Sequence, residues 1–509
     1  MRNTNGTFLL FYVLLASASL LRADMAIISM DDANHPMPYG VCDAQAAVGG
    51  GGAAFIAPMP EREDSYANGF HASYLRKDRQ LIELLPGFER ALARPPLSRY
   101  RKTTNIQLAA NRDFSRFAII VEFIKTGTTV DDVVQPKTLG TELVVVDGDG
   151  NKLAEAELSS DEGSVSARLC HVSFSEDGKL LTACGQYIGL RLYISPETDL
   201  TSFQALDVGY TTGTAVITGD GTKVFFTKDD GSLRAVCYME MATGRVIETG
   251  LTGSALINDA QVAASRDGSC LVFRRTADKL VVAVLEGGAW QETVIEGEQL
   301  RNPAVSADGR FIVYQAAGGA CSQIMAYDRR YDTTIRLSEN KDGAAADADC
   351  TSPSISADGS LAAFISAASN LSDDSNGFPQ VYVTSPLKAS MALELKKGWN
   401  LCALPFAADS ESTALLNEIS VCWGWVNGRF KALDTISAGQ GFWLYSAEDK
   451  SLSLTGERMP PAPLRRGWNL VLSALYSDID ISKCFGLEGD TYIQLPTDAD
   501  RAQTVWVFR

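Results

Sequence analysis

Val305-Ser306-Ala307-Asp308-Gly309-Arg310-Phe311-Ile312-Val313-Tyr314 reads as a β-hairpin. An apolar-alternating strand arrives, Asp-Gly turns the chain, and a strand of β-branched and aromatic residues leaves. The Asp-Gly pair predicts a two-residue loop with positive φ. The same phrase stands at Ser265-Arg266-Asp267-Gly268-Ser269-Cys270 and at Ser356-Ala357-Asp358-Gly359-Ser360-Leu361, with looser copies at 175–181 and 218–226. A sixth, Asn111-Arg112-Asp113-Phe114-Ser115-Arg116-Phe117, keeps the strand pattern without the glycine. The copies return about every 40–50 residues, the period of a four-stranded propeller blade. Further strands follow each hairpin, as at 323–328 and 333–337. One blade cannot bury both of its faces, whereas a ring of blades can. The pattern therefore predicts an all-β fold: a six-bladed β-propeller over residues 103–388, with seven blades if residues 61–102 contribute strands. A small duplicated β-rich domain follows over residues 392–509.

Pro353-Ser354-Ile355-Ser356-Ala357-Asp358-Gly359, with Asn376-Gly377 and Val381-Tyr382-Val383 after it, resembles the bacterial TolB-type, WD-like propeller repeat. Gln380 stands where that repeat usually has an acidic residue. The resemblance covers a little over half the chain. It implies a protein-interaction platform of the cell envelope, or the non-catalytic half of a prolyl-oligopeptidase-like peptidase. The second needs a hydrolase domain, for which the sequence holds no segment. In the C-terminal domain, Leu395-Lys396-Lys397-Gly398-Trp399-Asn400-Leu401 returns as Leu464-Arg465-Arg466-Gly467-Trp468-Asn469-Leu470. Each copy is followed by an aromatic strand, at 441–445 and 505–508, which predicts two lobes related by a pseudo-twofold and packed through their tryptophans. The phrase resembles the Gly-Trp-Asn-type modules at the C-termini of secreted bacterial proteins, a resemblance that implies a fold and no ligand.

With 509 residues and a net charge of −17, the chain is too long for one core and too acidic for a polyanion to be its main partner. No nucleic acid is expected. Residues 1–23 read as a signal peptide: Arg2 supplies a basic start, and Phe8 to Leu21 form an apolar run too short to span a bilayer. No later segment is apolar enough for a membrane helix. Export is expected, to the periplasm, the cell surface or the extracellular space. Residues 24–60, with Gly49 to Gly52, read as a flexible linker. Residues 61–102 hold eight arginines and lysines from Arg76 to Lys102 and read as a basic segment packed on the acidic propeller, with a short helix at 81–85.

Ten cysteines without a Cys-x-x-Cys pair fit an oxidising compartment. Cys170 and Cys184 flank the Asp177-Gly178 turn and are the candidate disulfide; Cys237 with Cys270 and Cys321 with Cys350 are candidates to link blades. Buried free thiols are the alternative.

Three histidines, His35, His71 and His171, give little material for general base catalysis, and His171 reads as a core or channel-lining residue. Nucleophile-elbow, zincin and phosphate-loop motifs are absent from the sequence. No catalytic, metal or cofactor residue is assigned. Asp177, Asp220, Asp267, Asp308 and Asp358 precede glycine and read as turn residues. Asp147-Gly148-Asp149-Gly150-Asn151 alternates oxygens as calcium loops do, yet lacks the glycine and distal glutamate of an EF-hand at their places and reads as a hairpin turn. Trp423-Gly424-Trp425 sets two rings on one side of a strand and is the candidate glycan contact. The expectation is a secreted, non-enzymatic protein-interaction scaffold whose propeller loops recognise a protein of the cell envelope. Its alternatives are a carbohydrate-active propeller enzyme using channel carboxylates, and glycan binding by the tryptophan-rich domain.

Overall fold

A computed structural model describes residues 26–27, 47–49, 52–58, 71–77, 80–84, 106–125, 138–157, 171–185, 189–202, 204–206, 211–229, 234–253, 262–340, 343–459, 463–472, 484–488, 491–494 and 504–508. They form two compact units that divide between Thr384 and Ser385.

The first unit is a β-propeller, with seven four-stranded antiparallel sheets among the described residues. Blades 1 to 6 follow chain order over 47–84, 106–157, 171–206, 211–253, 262–296 and 301–336. Blade 7 takes Cys350–Ile355, Ala362–Ser366 and Gln380–Thr384, and is completed by Ala26–Ile27 from the other end of the unit. Ala26 pairs with Val383 and Ile27 with Tyr382. The first strand of each blade lies beside the first strand of the next. Ala47–Gly49 of blade 1 lies beside Cys350–Ile355 of blade 7, so the ring closes.

The ring has seven blades, the count expected if residues 61–102 contribute strands, rather than the six read from the spacing alone. The stretch read as a linker supplies Ala47–Gly49 and Gly52–Pro58 of blade 1, where Gly49 pairs with Gly52, and the closing strand of blade 7. The basic segment supplies His71–Lys77 and Gln80–Leu84. The helix expected at 81–85 is thus a strand. Leu75 pairs with Ile82, while Leu75 and Leu84 are buried with Ala54 and Leu108, so Ile82 and Leu84 obey a period of two.

Each blade buries both faces, which is why its central strands read as unbroken apolar runs. Along Thr138–Asp147, Val144 and Val146 pack into the core shared with blade 1, and Leu143 and Val145 into the core shared with blade 3. Cys237 and Phe226 lie between blades 3 and 4, Phe273 and Phe225 between blades 4 and 5, and Cys270 and Tyr314 between blades 5 and 6. Each such valine, leucine or phenylalanine contributes about 1.5–3 kcal/mol relative to exposure.

The second unit contains a three-stranded sheet, a helix and two four-stranded sheets among the described residues. The helix Ser410–Ile419 starts at Asp409, whose carboxylate accepts the Ser412 N–H at 2.8 Å, and it buries Leu416 against Phe406 and Phe442. One four-stranded sheet runs Gly398–Ala403, Gly441–Ser446, Trp423–Val426, Arg429–Ala432 in space; the other runs Trp468–Leu472, Thr504–Phe508, Phe485–Glu488, Thr491–Gln494. Both have the same order: first, fourth, second, third.

Candidate functional site

The repeated phrase, Ser-x-Asp-Gly in four copies and Thr218-Gly219-Asp220-Gly221 in the other, builds one turn five times over. In blade 3 the Ser175 N–H donates to the Leu180 carbonyl at 3.0 Å, and the Leu180 N–H donates to Ser175 Oγ at 3.1 Å. The Gly178 N–H donates to the Ser175 carbonyl at 3.0 Å. Asp177 Oδ1 accepts the Ser175 hydroxyl at 2.7 Å and the Lys179 N–H at 3.0 Å. Equivalent bonds recur around Asp220, Asp267, Asp308 and Asp358. Only the glycine takes a positive φ, 69° at Gly309, so this is a longer loop built on an i to i+3 bond. The two-residue loop expected from Asp-Gly does not form. The serine or threonine hydroxyl takes the N–H that a carbonyl would accept in a tight hairpin, and this widens the turn.

Every aspartate in these turns accepts a hydroxyl and a backbone N–H. For Asp177 the Lys179 N–H and the Ser175 hydroxyl hold the carboxyl below its ordinary range. Burial alone would raise Asp220, Asp267 and Asp358, but their hydrogen bonds outweigh it and lower them. These carboxylates are committed to turn geometry, as their place before glycine implies.

The turns are also stitched to one another. Glu176 N–H donates to the Gly219 carbonyl at 2.9 Å, Asp220 N–H to Arg266 at 3.0 Å, Arg266 N–H to Ala307 at 2.9 Å, and Ala307 N–H to Ala357 at 2.8 Å. Beside the inner strands of blades 3 to 7, these bonds fix the second turn position around one mouth of the ring. Arg112 of blade 2 and Arg266 of blade 5 converge there on Glu176 Oε2, at 3.3 and 2.9 Å. Two guanidiniums on one carboxylate make a cluster of one net positive charge, and the same turn position in the other stitched blades is Gly219, Ala307 or Ala357.

In the second unit, one face of the first four-stranded sheet is aromatic. Its registers set Trp399 opposite Tyr445, Trp443 opposite Trp423, and Trp425 opposite Phe430. The intervening residues, Cys402, Phe442 and Leu444 among them, are buried on the other side with the helix. The six rings therefore belong to the solvent side, and Trp399 is 60% and Phe430 45% exposed. The second sheet continues the surface. Trp506 makes edge contacts with Trp425 at 5.1 Å and Phe430 at 6.0 Å, and Trp468 packs on Trp506, Phe485 and Phe508. Trp468 is 45% and Phe508 63% exposed. Exposed apolar area of this continuity marks a contact surface more often than scattered single residues do.

Trp423 and Trp425, the candidate glycan contacts, both lie on this face. Trp425 forms edge-to-face pairs with Phe430 and Trp506 rather than a coplanar shelf. Trp399, Tyr445, Trp468 and Phe508 belong to the same surface; the Gly-Trp-Asn phrase reads as placing its tryptophans in the packing of the lobes, whereas strand alternation turns Trp399 and Trp468 outward. The mouth residues were missed too, although they occupy the variable position of the repeated turn. His171 is the residue paired with Cys184, while Cys170 and His35 lie outside the described residues. The blade-linking disulfides are corrected: Cys237, Cys270, Cys321 and Cys350 are free thiols. Cys237 and Cys270 sit in different inter-blade cores, and Cys321 Sγ donates instead to the Asp347 carbonyl at 3.4 Å. Asp147 closes its hairpin by accepting the Asn151 N–H at 2.8 Å, and no His, Cys, Asp or Glu group suited to a metal occurs among the described residues.

No protein-family model matches the chain, and no curated protein matches it. Solved structures similar to it include a prolyl endopeptidase, at 12% identity over 76% of this chain and 54% of that one, with a TM-score of 0.43. TolB from Acinetobacter baumannii is similar at 15% identity over 76% of this chain and 92% of that one, TM-score 0.33. The Dos1 propeller is similar at 10% identity over 54% and 90%, TM-score 0.35. The chain spans about half the length of the peptidase, 54%.

Proposed function

We propose that this chain is an exported, non-catalytic binding protein, in which the propeller is a rigid frame and the aromatic face of the C-terminal unit is the principal contact surface. The observation that carries this reading is the run of half-exposed rings from Trp399 to Phe508 across two sheets, one of which already has an apolar core on its other side. Rings spent on folding would be buried, as Phe442 is. The C-terminal unit is, on this reading, a duplicated Gly-Trp-Asn-type module. The leader-like residues 1–23 support export to the envelope or beyond. A carbohydrate-active enzyme would need free channel carboxylates, and the turn aspartates are occupied by hydroxyls and backbone N–H groups.

A second reading keeps recognition on the propeller. Arg112, Glu176 and Arg266 offer a charged patch to a protein partner, held in place by the bonds between turns. One capture experiment separates the two. Full-length protein is compared with Trp399→Ala/Trp468→Ala and with Arg112→Ala/Arg266→Ala in extract of the organism's envelope. Loss of capture in the tryptophan variant alone is expected; loss in the arginine variant alone moves the function to the ring, and substrate turnover by the unaltered protein refutes both.

A further inference from the structure

The aromatic face carries a second regularity, whose meaning rests on that face being a contact surface. Each Gly-Trp-Asn phrase forms the same loop. Asn400 Oδ1 accepts the Lys396 N–H at 2.8 Å while its Nδ2 donates to the Lys396 and Gly398 carbonyls; Asn469 does the same with Arg465 and Gly467, its first bond measuring 2.9 Å. The glycines turn at φ 111° and 104°, a region open to glycine alone among common residues. Each loop thus fixes an exposed basic pair, Lys396-Lys397 or Arg465-Arg466, one glycine before an exposed tryptophan. The cross-strand partner of that tryptophan is another exposed ring: Tyr445 for Trp399 at 5.5 Å, Phe508 for Trp468 at 5.3 Å.

We propose that these loops are two equivalent subsites for one acidic polysaccharide of the uronate type, gripped locally at the basic pairs, since the net charge of −17 gives the chain as a whole no attraction for a polyanion. The flat apolar faces of its sugar rings lie against the aromatic pairs, and its carboxylates meet the basic pairs. A polymer with a repeating unit is the ligand that matches a repeated site. An anionic membrane fits less well. Residues 385–509 hold 12 lysines and arginines against 14 aspartates and glutamates, so the unit has no net positive field to draw it to a bilayer. A polymer touching the rings instead meets each basic pair locally. Lys396 is also held near Asp449, at 3.2 Å, which limits its swing.

The test is binding of the full chain to polygalacturonate, with the methyl-esterified polymer as its uncharged counterpart and phosphatidylglycerol vesicles as the lipid probe. Binding to polygalacturonate is expected, weakened by salt. It should fall about tenfold or more in Trp399→Ala or Trp468→Ala, and to background in the double variant, because two linked subsites reinforce each other. Lys396→Gln/Lys397→Gln and Arg465→Gln/Arg466→Gln, exposed changes that leave the fold intact by circular dichroism, should each weaken it similarly. Equal affinity for the esterified polymer overturns the acidic specificity and leaves the face a glycan contact. Vesicle binding alone, no binding to any probe, or binding indifferent to all four substitutions overturns the proposal. The contact-surface reading fails separately, when Trp399→Ala/Trp468→Ala leaves capture from envelope extract unchanged.

Discussion

Gly309→Ala tests whether the Ser-x-Asp-Gly turn holds blades together as well as turning the chain. Gly309 has φ 69°, and a Cβ there would stand 2.7 Å from Cys270 Cβ of the preceding blade and 3.1 Å from Arg329 Nη1. The left-handed backbone costs an L residue about 1–2 kcal/mol, and forcing a methyl into packed atoms about 1–3 kcal/mol more. Gly319 is the matched control. It has φ 84° and nothing within 4 Å of its Cβ position, so Gly319→Ala bears the backbone cost alone. The ring unit, Met25–Thr384, has about 360 residues and an unfolding entropy of about 0.76 kcal/mol/K. Gly309→Ala should therefore lower its Tm by about 3–7 °C, and Gly319→Ala by about 1–3 °C. Differential scanning calorimetry of the full chain reads both. Equal shifts would refute the claim that the turn glycine is a site of contact between blades.

The same geometry sets three further outcomes. Ile27, 2% exposed, packs with Phe364 and Tyr382 in closing blade 7, so Ile27→Ala should cost about 2–5 kcal/mol in urea unfolding; an unchanged midpoint would make the closing strand dispensable. Asp177, Asp220, Asp267 and Asp358 have folded-state carboxyls below their ordinary value. Their ionisation thus favours the folded state above about pH 4, and that contribution is lost as pH falls through the folded values. Tm should be level from about pH 7 to 5 and drop below about 4, less steeply in Asp358→Asn, which keeps the oxygen acceptor without the charge; an identical acid limb contradicts this. Burial pushes the thiols of Cys270 and Cys350 up to about 11 and Cys402 up to about 12, so at mildly alkaline pH a maleimide should label half-buried Cys321 before them, and peptide mapping with the reverse order is the contrary result.

The propeller was legible where the turn phrase and the β-branched strands coincide, in blades 3 to 7. It faded in blade 1 because Ala47–Gly49 and Gly52–Pro58 are made largely of alanine and glycine, residues with little strand preference of their own. They are strands because neighbouring blades bury them; Ala54 and Phe55 are fully enclosed. A closing strand of two residues, Ala26–Ile27, has no period to detect. The turn type was misread for a local reason. Asp-Gly suggests a two-residue loop only while the preceding serine is ignored, and Ser306 Oγ accepts the Phe311 N–H at 3.0 Å.

The candidate surface was legible in part. Trp423-Gly424-Trp425 announced two rings on one side of a strand, but a single sequence does not show which strands lie next to it. The order first, fourth, second, third places Gly441–Ser446 beside Trp423–Val426, bringing Trp443 and Tyr445 into line with rings distant in the chain. The second copy then meets the first at Trp425 and Trp506, 5.1 Å apart, which turns two small aromatic patches into one. Duplication thus has a physical consequence that neither half carries alone. A single Gly-Trp-Asn loop offers one aromatic pair and one basic pair, too little for a lasting hold on a flexible polymer. Two loops in one unit let the second contact form at high effective concentration once the first has formed. The repeated unit is therefore the feature on which the binding reading stands, and separate loss of either loop is its sharpest signature.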